Sequence, residues 1–177
     1  MPNLLEEIEF RDTQRVAPAV AALERLPPDV FRVVQALLHS LPNRDDTVHY
    51  LKRLIVEAPE AAQAIAANLI ALRYALTIFS WSRFLSESVI RHPQWLLDIS
   101  TAHDLHRGFL AEDYEEALQR SLGGVTPAPV DLALFRRRQL LRIAIAHIKD
   151  RYAVNRFNRH TEHWPHWPRR PIADVDL

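Results

Sequence analysis

The sequence predicts an all-α fold, an irregular multi-helix domain followed by a disordered or loosely packed C-terminal tail. Three observations point there. Only 3 glycines occur in 177 residues, against 12 prolines, and period-two alternation of apolar and polar residues is scarce, which argues against sheet. Apolar residues instead recur at steps of three and four, the spacing of a buried helix face. From Arg151 that spacing stops, and Pro165, Pro168 and Pro171 follow. The chain therefore divides into a helical region, residues 1–150, and a Pro-, Trp- and His-rich tail, residues 151–177, outside the core.

The elements follow in order. A first helix is expected to end at Leu26, before Pro27-Pro28, whose rings lack amide donors. Asp29 can cap the next helix, with Val30, Val34, Leu37 and Leu41 on one stripe. Pro42-Asn43-Arg44 makes a turn, after which Asp46 or Thr47 caps a helix that buries Val48, Leu51, Leu54 and Ile55. Pro59 opens a further helix at a first-turn position, with Glu60 favourable at its positive end. Ile65, Leu69, Leu72, Leu76 and Phe79 line one face of it; Ile78, Trp81, Leu85 and Val89 line a second. Apolar residues on two faces predict a central helix with neighbours on both sides. Pro93 ends or kinks it. Short helices follow near residues 95–99 and 112–122, the latter closed by Gly123-Gly124. Thr126-Pro127-Ala128-Pro129 is a stiff linker into a last long helix, from Val130 to about Asp150, with Leu134, Leu141, Ile145 and Ile148 on its stripe. The expected core is the segment 72–89 packed against 130–148.

Composition narrows the function classes. The formal net charge is +0, which argues against nucleic acid as a partner. A helix-turn-helix over residues 30–57 would offer Lys52 and Arg53, but Asp45, Asp46 and Glu57 offset them. Lys52 and Lys149 are the only lysines, so arginine supplies the remaining positive charge. Its planar fork suits internal ion pairs or a protein interface. The absence of cysteine excludes disulfides, thiolate nucleophiles and cysteine-ligated zinc. No basic segment followed by an apolar run opens the chain, and Arg73 and Arg83 interrupt its most apolar stretch. No membrane association and a cytoplasmic location are the expectation.

No constellation assembles a catalytic, cofactor-binding or metal site. His160, His163 and His166 are spaced three apart, but Pro165 prevents a regular helix there, so they read as histidines in a tail. Ser80, Ser82, Ser86 and Ser88 crowd one helix without a nucleophile elbow around any of them. They let helices approach closely or face solvent. Asp174-Val175-Asp176 lacks the preceding strand and glycine turn that Mg²⁺-dependent phosphoryl transfer requires. In the run Arg136-Arg137-Arg138, helical geometry puts Arg138 and Arg142 on a solvent-facing side, whereas Arg137 lies between Leu134 and Leu141 on the buried stripe. A guanidinium there must snorkel or be paired; a structural ion pair with Glu87 or Asp98 is expected.

Two segments carry a family resemblance. They are Ser82-Arg83-Phe84-Leu85-Ser86-Glu87-Ser88-Val89-Ile90-Arg91-His92-Pro93-Gln94-Trp95-Leu96 and Leu132-Ala133-Leu134-Phe135-Arg136-Arg137-Arg138-Gln139-Leu140-Leu141-Arg142-Ile143-Ala144. In this order and spacing they resemble the N-terminal part of the bifunctional glutamine synthetase adenylyltransferase/adenylyl-removing enzyme of bacteria, over roughly residues 30 to 150. The resemblance implies transfer of AMP from ATP to a tyrosine of glutamine synthetase, phosphorolytic removal of that AMP, and control by a PII signalling protein. It implies ATP and Mg²⁺ for the full-length family. The family's nucleotidyltransferase site, a glycine-rich turn followed by Ser-Asp-x-Asp, lies further along. Asp174 and Asp176 do not match it, so no catalytic residue carries over. The resemblance thus implies a truncated or frameshifted helical portion of the adenylyl-removing half, without a cofactor of its own and inactive alone. The alternative is a free-standing helical adaptor that binds a protein partner through an apolar groove.

Overall fold

A computed structural model describes residues 7–102, 110–123 and 126–160, with side chains as far as Ile148. The fold is all-α. Among the described residues there are nine helices and no strand: α1 (Thr13–Leu23), α2 (Pro28–Leu38), α3 (Arg44–Glu57), α4 (Pro59–Ala67), α5 (Leu69–Trp81), α6 (Arg83–Arg91), α7 (Gln94–Thr101), α8 (Ala111–Leu122) and α9 (Pro129–His160).

Local chemistry sets most boundaries. Asp12 caps α1, its Oδ1 accepting from the amide of Arg15 at 2.9 Å. The helix ends at Leu23, three residues before the expected limit, and Leu26 closes the turn by donating to the Leu23 carbonyl. Pro27 precedes α2 and Pro28 is its first residue; Asp29 sits in the first turn and does not cap. Pro28 lacks an amide donor that would need a cap there. Arg44 closes the other end of α2, donating to the carbonyls of Leu38 and His39 and, across a gap, of Glu9. Asn43 caps α3 in place of Asp46 or Thr47; its Oδ1 accepts from the Asp46 amide, and its own amide donates to Ser80 Oγ at 3.0 Å. Asp45 is thereby freed to accept the amides of Arg11 and Asp12, tying the entry strand of chain to α3.

The helix expected to run from Pro59 to Pro93 is three helices. Asn68 ends α4 and caps α5, with Oδ1 accepting the amides of Ile70 (3.0 Å) and Ala71 (3.1 Å). Its Nδ2 donates to Ser100 Oγ on α7. The axes of α4 and α5 differ by 116°. Ser82 makes the second break, accepting from the Leu85 amide at the start of α6. Asn and Ser side chains compete with the helix for its own amides, and here they win at both ends of α5. The register changes accordingly: Leu69 and Trp81, expected inside, are 60% and 59% exposed.

α5 is the centre. Nine of its residues are buried, from Ala71 and Leu72 through Phe79 and Ser80, and it packs against α2, α3, α4, α6, α7 and α9. Around it Val34, Leu38, Val48, Leu54, Ile65, Val89 and Leu96 are almost fully buried. α1 packs on α3. α9 crosses α5 and α6, where Leu141 and Ile145 are fully buried. The expected packing of the central segment against the last helix is therefore present. α8 lies against α9 and has no buried residue. The left-handed Gly123 (φ 60) ends it. α9 continues to His160, ten residues past the expected end. No proline or glycine lies between Val130 and His160, so nothing in the backbone interrupts it. The remainder of the expected tail, residues 161–177, lies outside the described residues.

Because Asn68 both caps α5 and bonds α7, its removal should destabilise more than an ordinary surface change. Asn68→Ala is expected to lower unfolding free energy by about 1–2 kcal/mol, and Asn68→Asp, which keeps the cap acceptor, by less. Urea denaturation followed by circular dichroism checks the order; equal effects would show that the cap contributes nothing.

Candidate functional site

The segments that carry the resemblance meet in space. The first forms α6, the turn at His92-Pro93 and the start of α7; the second forms the first half of α9. His92 closes α6 and stacks on Trp95 at 4.3 Å between ring centroids. That turn buries Leu96 and Ile99 on one side and presents Asp98 towards α9.

There the arginines are distributed differently from the sequence-based expectation. Asp98 accepts from Arg138, Nη2 to Oδ2 at 2.9 Å, and not from Arg137. Its other oxygen accepts from Gln94. Glu87 belongs to Arg53 of α3, which bonds it through both terminal nitrogens. Arg137 instead lays its guanidinium over the Phe84 ring, 5.4 Å from the centroid. The physical reason is angular. Arg137 leaves α9 on the α6 side, over a half-exposed ring, and snorkels along it. Arg138, one residue on and rotated by about 100°, faces α7 and finds Asp98.

Arg53 organises a second polar cluster. It bridges Glu57 one turn along α3 (Nε–Oε1 2.7 Å) and Glu87 on α6, and it lies 5.6 Å from the Tyr50 ring centroid. Tyr50 in turn stacks on Phe79 of α5. Hydrogen bonds from Arg53 hold the carboxyls of Glu57 and Glu87 below their ordinary range. Hydrogen bonds to those two carboxylates raise the Arg53 guanidinium further above its already high value. Burial, with Glu87 nearby, raises the Tyr50 phenol. Asp46, 7% exposed, accepts from Asn43 and from Arg83. These groups lock α3 to α6 and the end of α5. The shifts at Glu57, Glu87, Arg53 and Tyr50 all run away from neutrality.

A concavity lies beside α9. It is a half-open cleft of ≈ 430 Å³ between the end of α7, α8 and α9, lined by Arg120, Arg138, Arg142, Asp98, Gln139 and Phe135 among others. Three guanidiniums face one carboxylate. Arg120 donates through Nε to the Glu116 carbonyl. Gln139 Oε1 is buried without a hydrogen-bond partner. Such a cleft can hold anionic groups through forked hydrogen bonds. Among the described residues that line it there is no nucleophile activated by a base.

The remaining candidates have structural duties. Ser80 Oγ accepts from the Asn43 amide and Ser82 Oγ from the Leu85 amide; Ser86 donates to the Ser82 carbonyl at 2.8 Å and Ser88 to the Phe84 carbonyl. Ser80, Ser86 and Ser88 are buried, as close helix approach requires, and their hydroxyls are committed to the main chain. Among the described residues no group of three or more His, Asp or Glu side chains could hold a metal ion. The side chain of His160, and His163, His166, Asp174 and Asp176 entirely, lie outside the described residues. No single described helix is long and apolar enough to cross a membrane.

Sequence reasoning assigned Glu87 or Asp98 to Arg137, whereas Asp98 meets Arg138 and Glu87 meets Arg53, whose role it missed. Its signal was present: Arg53 precedes Glu57 by one turn. Its tie to Glu87 spans 34 residues and has no sequence signature.

Packing and charge should separate cleanly in this region. Leu141→Ala, at a fully buried position, is expected to cost about 2–5 kcal/mol, whereas Asp98→Asn, at a pair whose side chains are 41–42% exposed, should cost less than about 1 kcal/mol. Chemical denaturation of both variants tests this. Glu87 provides a pH test. Its folded-state pKa lies below the ordinary 4.5, so its contribution is complete above that value and is lost as pH falls through the lowered one. With the side chain 40% exposed, solvent screening limits it to about 0–1 kcal/mol. Glu87→Gln should therefore be less stable than the parent at pH 7 and match it at strongly acid pH; a constant gap in denaturation midpoints across pH would contradict the assignment. No protein-family model matches the chain, and no curated protein or solved structure matches it.

Proposed function

We propose that the chain is the helical N-terminal portion of the adenylyl-removing half of a bifunctional glutamine synthetase adenylyltransferase, and that it serves as a scaffold. One observation supports this above others: the two stretches on which the resemblance rests interlock. Phe84 of the first lies under Arg137 of the second, and just past their ends Asp98 bonds Arg138 of the second, while Leu141 is buried beside Ile145 where α9 crosses α5 and α6. Segments that share one packing solution have a physical reason to occur together. Nucleotide handling in that family rests on a glycine-rich turn followed by Ser-Asp-x-Asp, a motif this sequence does not contain. The reading therefore assigns ATP, Mg²⁺ and AMP transfer to other polypeptide, in a cytoplasmic setting, with glutamine synthetase and PII protein as partners of the whole. A free-standing helical adaptor is the second reading, favoured by the apolar residues left exposed on α9.

Incubation of the purified chain with labelled ATP, Mg²⁺ and unmodified glutamine synthetase should give no incorporation of AMP; incorporation would overturn the scaffold reading. Added in trans to a bacterial adenylyltransferase lacking its own helical N-terminal region, the chain should restore phosphorolytic release of AMP from adenylylated glutamine synthetase. A folded chain that restores nothing would favour the adaptor.

A further inference from the structure

The solvent side of α9 is unlike that of an ordinary surface helix. Leu132, Leu140 and Ile143 are 43%, 39% and 48% exposed. Their spacing of eight and three places them on one face, opposite the fully buried Leu141 and Ile145. A helix apolar on two opposite sides is an interior element of something larger. The charge pattern is one-sided as well. Residues 132–148 contain four arginines and no carboxylate. Arg136 is exposed on the apolar face itself, and the cleft with Arg120, Arg138 and Arg142 adjoins it along one flank. Gln139, with its buried and unpartnered Oε1, lies between stripe and cleft. A buried acceptor without a donor costs free energy until something supplies one.

We propose that the outer face of α9 and the adjoining arginine cleft form one docking surface, and that its occupant is an amphipathic helix of a partner polypeptide carrying an acidic edge. The apolar stripe takes the partner's apolar face in the helix-in-groove manner. The positive charge of Arg136 and of the cleft, where three arginines outnumber Asp98, draws its carboxylates. A second copy of this chain fits less well, because two such faces would bring together three cleft arginines from each copy against one Asp98 apiece, already bonded to Arg138. The inference stands on α9 and its flank alone and does not depend on the adenylyltransferase reading.

Two synthetic helical peptides test it by fluorescence anisotropy, both with a Leu/Ile stripe at helical spacing, one with glutamates along a single edge and the other with lysines there. The acidic peptide should bind with an affinity that falls as salt rises, and the basic one at least about tenfold more weakly. The double variant Leu140→Glu/Ile143→Glu should lose binding. Val56→Glu, at a residue 67% exposed on α3, should bind like the parent. Circular dichroism and thermal melts establish that both variants fold, as substitution of exposed side chains allows. The proposal is overturned if the acidic peptide fails to bind at ~100 μM, a concentration that detects even weak complexes, if both peptides bind equally, or if the double variant binds undiminished. Sedimentation that shows a dimer dispersed by the same two substitutions would assign the face to a second copy and equally overturn it.

Discussion

The structure depends on the burial of α5. Its residues from Ala71 to Ser80 are buried except Arg73, and six other helices touch it. A helix enclosed in this way cannot run on as a straight rod into solvent at either end, so the chain must turn sharply where the enclosure stops. Asn68 and Ser82 make those turns, each taking a β-region conformation and capping the helix that follows. Enclosure also dictates what the polar side chains near α5 do. Thr77, Ser80, Ser86 and Ser88 all bond main-chain groups within or beside it, because a buried hydroxyl without a partner would be destabilising. In the fold these residues are spacers and caps.

From that centre the packing is uneven along the chain. Among the described residues, apart from Leu141 and Ile145, the buried apolar residues all precede Ala102. α8 contributes none, and α9 touches the body with two fully buried side chains while turning Leu132, Leu140 and Ile143 outward. Residues 7–102 thus resemble a finished core, and α8 with α9 as far as Ile148 resembles an edge. That gradient is the common ground between the scaffold reading and the docking surface on α9: both regard incomplete coverage as a property of the surface that other polypeptide meets.

The arginine-rich composition acquires a meaning in this frame. Arg44 closes the end of α2, Arg53 joins α3 to α6, Arg83 answers the buried Asp46, and Arg138 joins α9 to α7. Each contact uses the guanidinium as a multi-pronged donor between elements, which the single ammonium of lysine does less well. Most of these pairs are partly exposed, so their role is to select an arrangement more than to add stability. The core supplies the stability.

Periodicity determined by itself that the protein is all-α, that residues 59–91 hold its central element, that Pro93 and Gly123 end helices, and that Leu141 and Ile145 face inward. These follow from local rules: the 3.6-residue repeat, the missing amide of proline, the left-handed conformation open to glycine. The tertiary structure alone decided that the central segment breaks at Asn68 and Ser82, that Asn43 caps α3 in place of Asp46 or Thr47, and that Arg138, not Arg137, takes Asp98. Capping and pairing are competitions among near-equal local options, worth about 1 kcal/mol each. Which option wins is settled by what a distant helix puts within reach, and no local pattern records that.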